Sequence, residues 1–218
     1  MWHCMAKRSQ SPTQAAAPAR VRRSYFECLY GQLHVHHAIP AGGGFEEAPP
    51  LLALHAAART GRMFGGILAA MGADRSAFAP DLPAFGQSDG PWEALTVTDH
   101  AAAIGDFLDA MRLRQVDVLG CGLGALVAVE LALSRPGVRR VAVMPLPPEA
   151  EQRHYPLSAQ MARIAQPTLL LYPRDMPQAL LTAAADLPVR ARRELPGDLS
   201  LLETAPETVA DVLKDFLG

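Results

Sequence analysis

The sequence predicts one α/β domain over residues 22–218, a mostly parallel sheet covered by helices on both faces. Three observations carry this. Apolar runs of strand length alternate with segments of helical apolar spacing from Leu51 onward, the pattern of β–α–β crossovers. Val116-Asp117-Val118-Leu119 runs into the glycine turn Gly120-Cys121-Gly122-Leu123-Gly124, then into a helical pattern at Leu126, Val127, Val129, Leu131 and Leu133. Strand, tight turn and helix in that order place the turn residue at the top of a parallel sheet. Finally, 218 residues that are 50% hydrophobic and 19% charged suffice for one well-covered core.

Residues 1–21 are rich in Ala, Ser, Gln, Pro and Arg without apolar periodicity, and read as a disordered leader. Arg and Ser with no acid before Glu27 also match the composition of an organellar transit peptide. Ser24–Leu29 and Gln32–Ile39 read as a hairpin turning at Tyr30-Gly31, which makes one sheet edge antiparallel. His34 and His36 share a face of its second strand. With His37 they are expected to be solvated, because a metal needs three or four convergent ligands and no carboxylate stands at useful spacing.

After a Gly-rich loop, Leu51–His55 reads as a buried strand, Arg59–Met71 as a helix and Ser76–Pro80 as the next strand. Thr96–Met111 has the apolar spacing of an amphipathic helix, with Thr98 as its N-cap. Beyond the central turn, Val138–Met144 and Thr168–Tyr172 are strands, and Leu157–Ile164 is the one helix expected between them. A helix at Ala179–Ala185, a strand at Val189–Leu195 and a helix at Pro206–Leu217 complete the chain.

Composition also excludes. A net charge of −2 offers no attraction to nucleic acid or an anionic membrane. No apolar run reaches the eighteen or so residues of a membrane-spanning helix. Three cysteines without a Cys-x-x-Cys pair point to a reducing, cytoplasmic setting. No cofactor is expected, and any partner is an unidentified small molecule or protein.

Several segments in order resemble the α/β-hydrolase fold superfamily, over roughly Tyr25 to Gly218. Leu51-Leu52-Ala53-Leu54-His55-Ala56 resembles the family's strand ending in His-Gly. Asp81-Leu82-Pro83-Ala84-Phe85-Gly86-Gln87-Ser88-Asp89 closely resembles its Asp-Leu-Pro-Gly-Phe-Gly-x-Ser-Asp segment. Thr168–Leu171 followed by Asp175 resembles the strand that delivers the catalytic acid, and Leu195-Pro196-Gly197-Asp198 the tail that delivers the histidine. The resemblance implies an α/β-hydrolase fold with a minimal or absent cap, since only 23 residues (145–167) lie where a cap would be inserted. It also implies a nucleophile elbow centred on Gly122, the acid at Asp175 and the base at Asp198, with one extra residue before Pro206. Oxyanion-type donors would be the backbone N–H groups of Ala56 and Leu123.

At these positions glycine carries no attacking atom, and an ordinary carboxylate of pKa about 4 is too weak a base for a serine hydroxyl. The resemblance therefore implies a pseudoenzyme that acts by binding, with His55 and Cys121 as pocket-lining candidates and Cys121 packed into the sheet. A hydrolase or lyase using Asp175, Asp198 and His55 remains as the alternative. More remote is S-adenosylmethionine or dinucleotide binding, since Gly120-x-Gly122-x-x-Ala125 satisfies the bare fingerprint. If the triad is vestigial, Gly122→Ser combined with Asp198→His is expected to restore weak esterase activity.

Overall fold

The computed structural model describes residues 19–42, 48–144 and 155–218. Most of the expected leader, the core of the Gly-rich loop and much of the proline-rich segment after Met144 lie outside the described residues. The strands are β1 (Arg22–Cys28), β2 (Gly31–Ala38), β3 (Leu51–Leu54), β4 (Ala77–Pro80), β5 (Val116–Cys121), β6 (Val138–Met144), β7 (Thr168–Pro173) and β8 (Ala191–Leu195). They form one sheet in the order β1-β2-β4-β3-β5-β6-β7-β8. β2 pairs antiparallel with β1 and β4, and every other pairing is parallel. The strand order reverses where β3 lies between β4 and β5. In open α/β sheets ligands bind at such a switch point, beyond the carboxyl ends of the strands.

Among the described residues the α-helices are α1 (Gly65–Met71), α2 (Val97–Ala110), α3 (Leu123–Ser134), α4 (Leu157–Met161), α5 (Gln178–Ala185), α6 (Leu201–Thr204) and α7 (Pro206–Leu217). One face of the sheet buries Ile104, Phe107 and Leu108 of α2 with Leu126, Val127 and Leu131 of α3. The other buries Ile67 and Leu68 of α1, Leu202 of α6, and Val209 and Leu213 of α7. β3 and β5 are buried along their whole length, as strands covered on both faces must be. α3 is apolar nearly all round because α2 covers it from outside.

Several boundaries differ from the sequence reading, each for a local reason. α2 is capped by Thr96 and not Thr98. The Thr96 hydroxyl accepts the Asp99 N–H at 3.2 Å, and the Asp99 carboxylate accepts the Thr96 N–H at 2.9 Å, a reciprocal capping box. The helix expected from Arg59 begins as a 3-10 turn (Gly61–Phe64), because the Gly61 N–H is held at 2.7 Å by the Asp81 carboxylate. β8 starts two residues late because the Arg190 N–H donates to the Thr168 hydroxyl at 3.1 Å. α4 ends at Met161, short of Ile164. α6 is a single turn too short for periodicity to reveal.

The capping box gives a first test. Thr96→Ala removes a cap worth about 1 kcal/mol, so the urea midpoint should fall by that equivalent with an unchanged slope. A midpoint identical to wild type would show that the box contributes nothing.

Candidate functional site

β5 leaves the sheet at Gly122, whose φ is 56° and ψ −121°, a conformation glycine enters freely and other residues only at about 1–3 kcal/mol. The turn is held against its neighbours by the Gly122 N–H on the Met144 carbonyl at 3.2 Å and the Gly124 N–H on the His55 carbonyl at 2.9 Å. Contact is so close that a Cβ on Gly124 would lie 2.1 Å from the Leu54 oxygen. A Cβ on Gly122 would lie 2.7 Å from the Ala56 Cβ and 3.1 Å from its Cα. The Ala56 methyl thus fills the space that a side chain at position 122 would need. The sequence carried a sign of this, because alanine stands at 56 where the similar motif has glycine.

His55 anchors the loop that carries Ala56. Its fully buried ring accepts the Leu82 N–H at Nε2 (2.7 Å) and lies 2.8 Å from the Ala56 carbonyl through Nδ1. Accepting at Nε2 puts the proton on Nδ1, so the ring is neutral with both nitrogens engaged. Burial pushes its pKa down in the same sense. Leu82 is in turn placed by Asp81, whose buried carboxylate accepts the Gly61 N–H at 2.7 Å and the Gln87 N–H at 3.0 Å and meets His34 Nδ1 at 3.0 Å. His100 of α2 packs near the same Phe85 ring as His55. Its Nδ1 has no partner among the described residues, and burial, reinforced by His55, pushes its pKa down to about 4.

Asp175 and Asp198 follow β7 and β8 at the carboxyl end of the sheet, and the Asp175 N–H donates to the Gly197 carbonyl at 3.0 Å. Both are exposed. The Asp198 carboxylate accepts the Ser200 N–H at 2.8 Å and its hydroxyl at 2.6 Å, opening α6. Those bonds hold its pKa below the usual carboxylate range. Cys121 is buried, and burial pushes its thiol up to about 12, with the Arg59 guanidinium opposing. The N–H groups of Ala56 and Leu123 carry no hydrogen bond among the described residues. A separate cleft of about 510 Å³, whose lining includes Arg59, Thr60, Arg62, Met63 and Glu203 but not Ala56, Gly122 or Leu123, is crossed by an Arg59–Glu203 ion pair at 3.0 Å. Sequence reasoning missed it, because its two sides come from segments more than a hundred residues apart.

The family model described as "Alpha/beta hydrolase family" matches residues 51–217. The chain belongs to that family. Among solved structures, this α/β-hydrolase is similar to a bacterial membrane phospholipase A, with a TM-score of 0.75, 17% identity, and 90% of this chain and 86% of that one covered. A putative hydrolase from Bacillus subtilis matches with a TM-score of 0.74, 19% identity, and 93% and 94% coverage. A serine-to-glycine variant of the N-acyl homoserine lactonase AidH, complexed with N-hexanoyl homoserine lactone, matches with a TM-score of 0.74, 16% identity, and 90% and 97% coverage. An uncharacterized protein of Mycobacterium tuberculosis is 28% identical over 130 residues, 60% of this chain. The chain spans 36% of the length of that relative. No helix among the described residues is long and apolar enough to cross a membrane.

The buried imidazoles set a pH dependence. His100 titrates near 6.5 when unfolded and about 4 when folded, so between those values the unfolded chain binds the extra proton. The stability contribution is complete above about pH 6.5 and is lost as pH falls toward 4, by about 3 kcal/mol, with His55 acting in the same direction. Urea unfolding from pH 7.5 to 4.5 should show the loss, and His100→Gln should flatten it. Equal pH slopes in the two proteins would remove His100 as the cause.

Proposed function

We propose that this α/β-hydrolase works by binding, with its serine-hydrolase chemistry lost at the elbow. The observation that carries the reading is the packing of the Ala56 methyl into the space a side chain at Gly122 would need. Loss of the serine alone would leave a vacancy, whereas here the facing loop has filled it. At the base position, Asp198 is engaged with the N–H and hydroxyl of Ser200, and its carboxylate is less basic than usual. The backbone donors at Ala56 and Leu123 need no side chain, so the site keeps what is required to hold a carbonyl or carboxylate oxygen. The lactone complex of a serine-to-glycine variant among the structural neighbours supports a glycine-bearing member retaining a ligand.

The competing readings have less support. A hydrolase or lyase using unconventional groups needs a base that is free and titrates near neutrality. Both His55 nitrogens are occupied, and Asp198 has shifted the wrong way. Phosphate cradling at the glycine turn needs several free N–H groups. Gly122, Gly124 and Ala125 have given theirs to Met144, His55 and Gly122 itself.

The test is a series of variants assayed for p-nitrophenyl acetate hydrolysis and for labelling by a fluorophosphonate. Wild type should do neither. Gly122→Ser with Asp198→His, the pair suggested by sequence, should also fail, because the new Cβ meets Ala56. Adding Ala56→Gly should raise hydrolysis at least tenfold over the double variant and bring labelling at position 122. Labelling or burst kinetics in wild type would overturn the binding reading. A double variant as active as the triple would overturn the role given to Ala56.

A further inference from the structure

The two histidines that β2 places on one face are not solvated as their sequence suggested. His34 is buried and His36 half-buried. The ligand they lacked in the sequence comes from the neighbouring strand. β2 pairs antiparallel with β4, Val35 opposite Pro80, so Asp81 leaves the sheet beside His34 and donates its own N–H to the His34 carbonyl at 2.8 Å. One donor atom each from His34, His36 and Asp81 then lies within 4.8 Å of the others. We propose that these three residues bind one first-row divalent transition ion of the Zn²⁺ type, a reading independent of what happens at Gly122.

The spacing suits such an ion. Ligands about 2.0–2.1 Å from a tetrahedral metal stand about 3.3 Å from one another, and His34 Nδ1 is 3.0 Å from Asp81 Oδ2. An ion entering between them needs small adjustments, with the His34 proton moved to Nε2 so that Nδ1 offers its lone pair. Asp81 keeps its bonds from Gly61 and Gln87 while ligating, since two carboxylate oxygens accept about four donors. Those backbone donors orient the carboxylate as outer-shell partners do in metal sites. The partial exposure of His36 gives the ion a way in.

The surrounding charges limit affinity. Arg23 and Arg62 face His36 and repel a cation, Asp81 attracts it, and the Tyr25 ring packs on His34 with centroids 5.1 Å apart. Binding should therefore be micromolar and stronger at pH 8 than at pH 6, because protons compete for the imidazoles. Two imidazoles and one carboxylate favour Zn²⁺, Co²⁺ or Fe²⁺ over Mg²⁺, which prefers an all-oxygen shell. A bound ion ties β2 to the segment after β4, so it should also raise the unfolding midpoint.

The experiment uses tag-free, chelator-treated full chain. Co²⁺ is titrated while its visible d–d absorption is followed, then displaced by Zn²⁺, with Zn²⁺ binding measured separately by calorimetry. The expected result is one ion per chain, unaffected by excess Mg²⁺. His36→Ala should weaken binding at least tenfold, as should His34→Ala where circular dichroism shows it folded. His37→Ala, on the opposite face of the same strand, should bind as wild type does. His36→Ala is decisive because it leaves the His34–Asp81 hydrogen bond in place. No stoichiometric binding by wild type, or equal binding by wild type and His36→Ala, would overturn the proposal and leave a hydrogen-bonded His–Asp pair only.

Discussion

The zero-clearance contact between the β5–α3 turn and the end of β3 governs the carboxyl edge of this sheet. With the Gly124 position 2.1 Å, as a Cβ, from the Leu54 oxygen, no other residue fits there without moving a backbone. The contact sets where α3 starts, and the Gly124 N–H bond to His55 fixes the course of the chain after β3. That course brings Ala56 against Gly122. His55 then holds Leu82, and Asp81 gathers Gly61, Gln87 and His34. One close approach between two strand ends is thus passed, by hydrogen bonds to buried groups, to the hairpin edge.

The two ends of the sheet solve the problem of buried polarity differently. At the carboxyl end the buried polar side chains include the neutral His55 imidazole and the Asp81 carboxylate, which accepts two backbone N–H groups and meets His34. At the amino end, Asp117 at the start of β5 is fully buried against Arg75 at 3.3 Å, with Arg139 more distant at 3.9 Å. Burial raises the Asp117 carboxyl while Arg139, Arg140 and Arg75 pull it back. Asp117 Oδ1 and Arg75 Nε are left without partners among the described residues. A buried pair of this kind adds little net stability, yet removing one partner is costly because the other charge is stranded.

Proposed binding without cleavage follows from that division. At the carboxyl end the N–H groups of Ala56 and Leu123 make no hydrogen bond among the described residues, while His55 and Asp198 are held in structural hydrogen bonds. Groups so tightly engaged position backbone well and transfer protons poorly.

Periodicity in the sequence was enough to determine the parallel sheet, the two covering layers and the strand–turn–helix at Gly122, because those follow from residues close together in the chain. The motif from Asp81 to Asp89 was legible for the same reason, though its role as a hub was not. Local chemistry misplaced the start of α2, since a threonine two residues earlier found a reciprocal aspartate. What only the tertiary structure decided are the relations between segments far apart: Ala56 against Gly122, Arg59 with Glu203, and Asp81 beside His34 and His36. Each depends on strand order and register, which bring distant residues to the same spot, and no pattern within a single segment encodes that order.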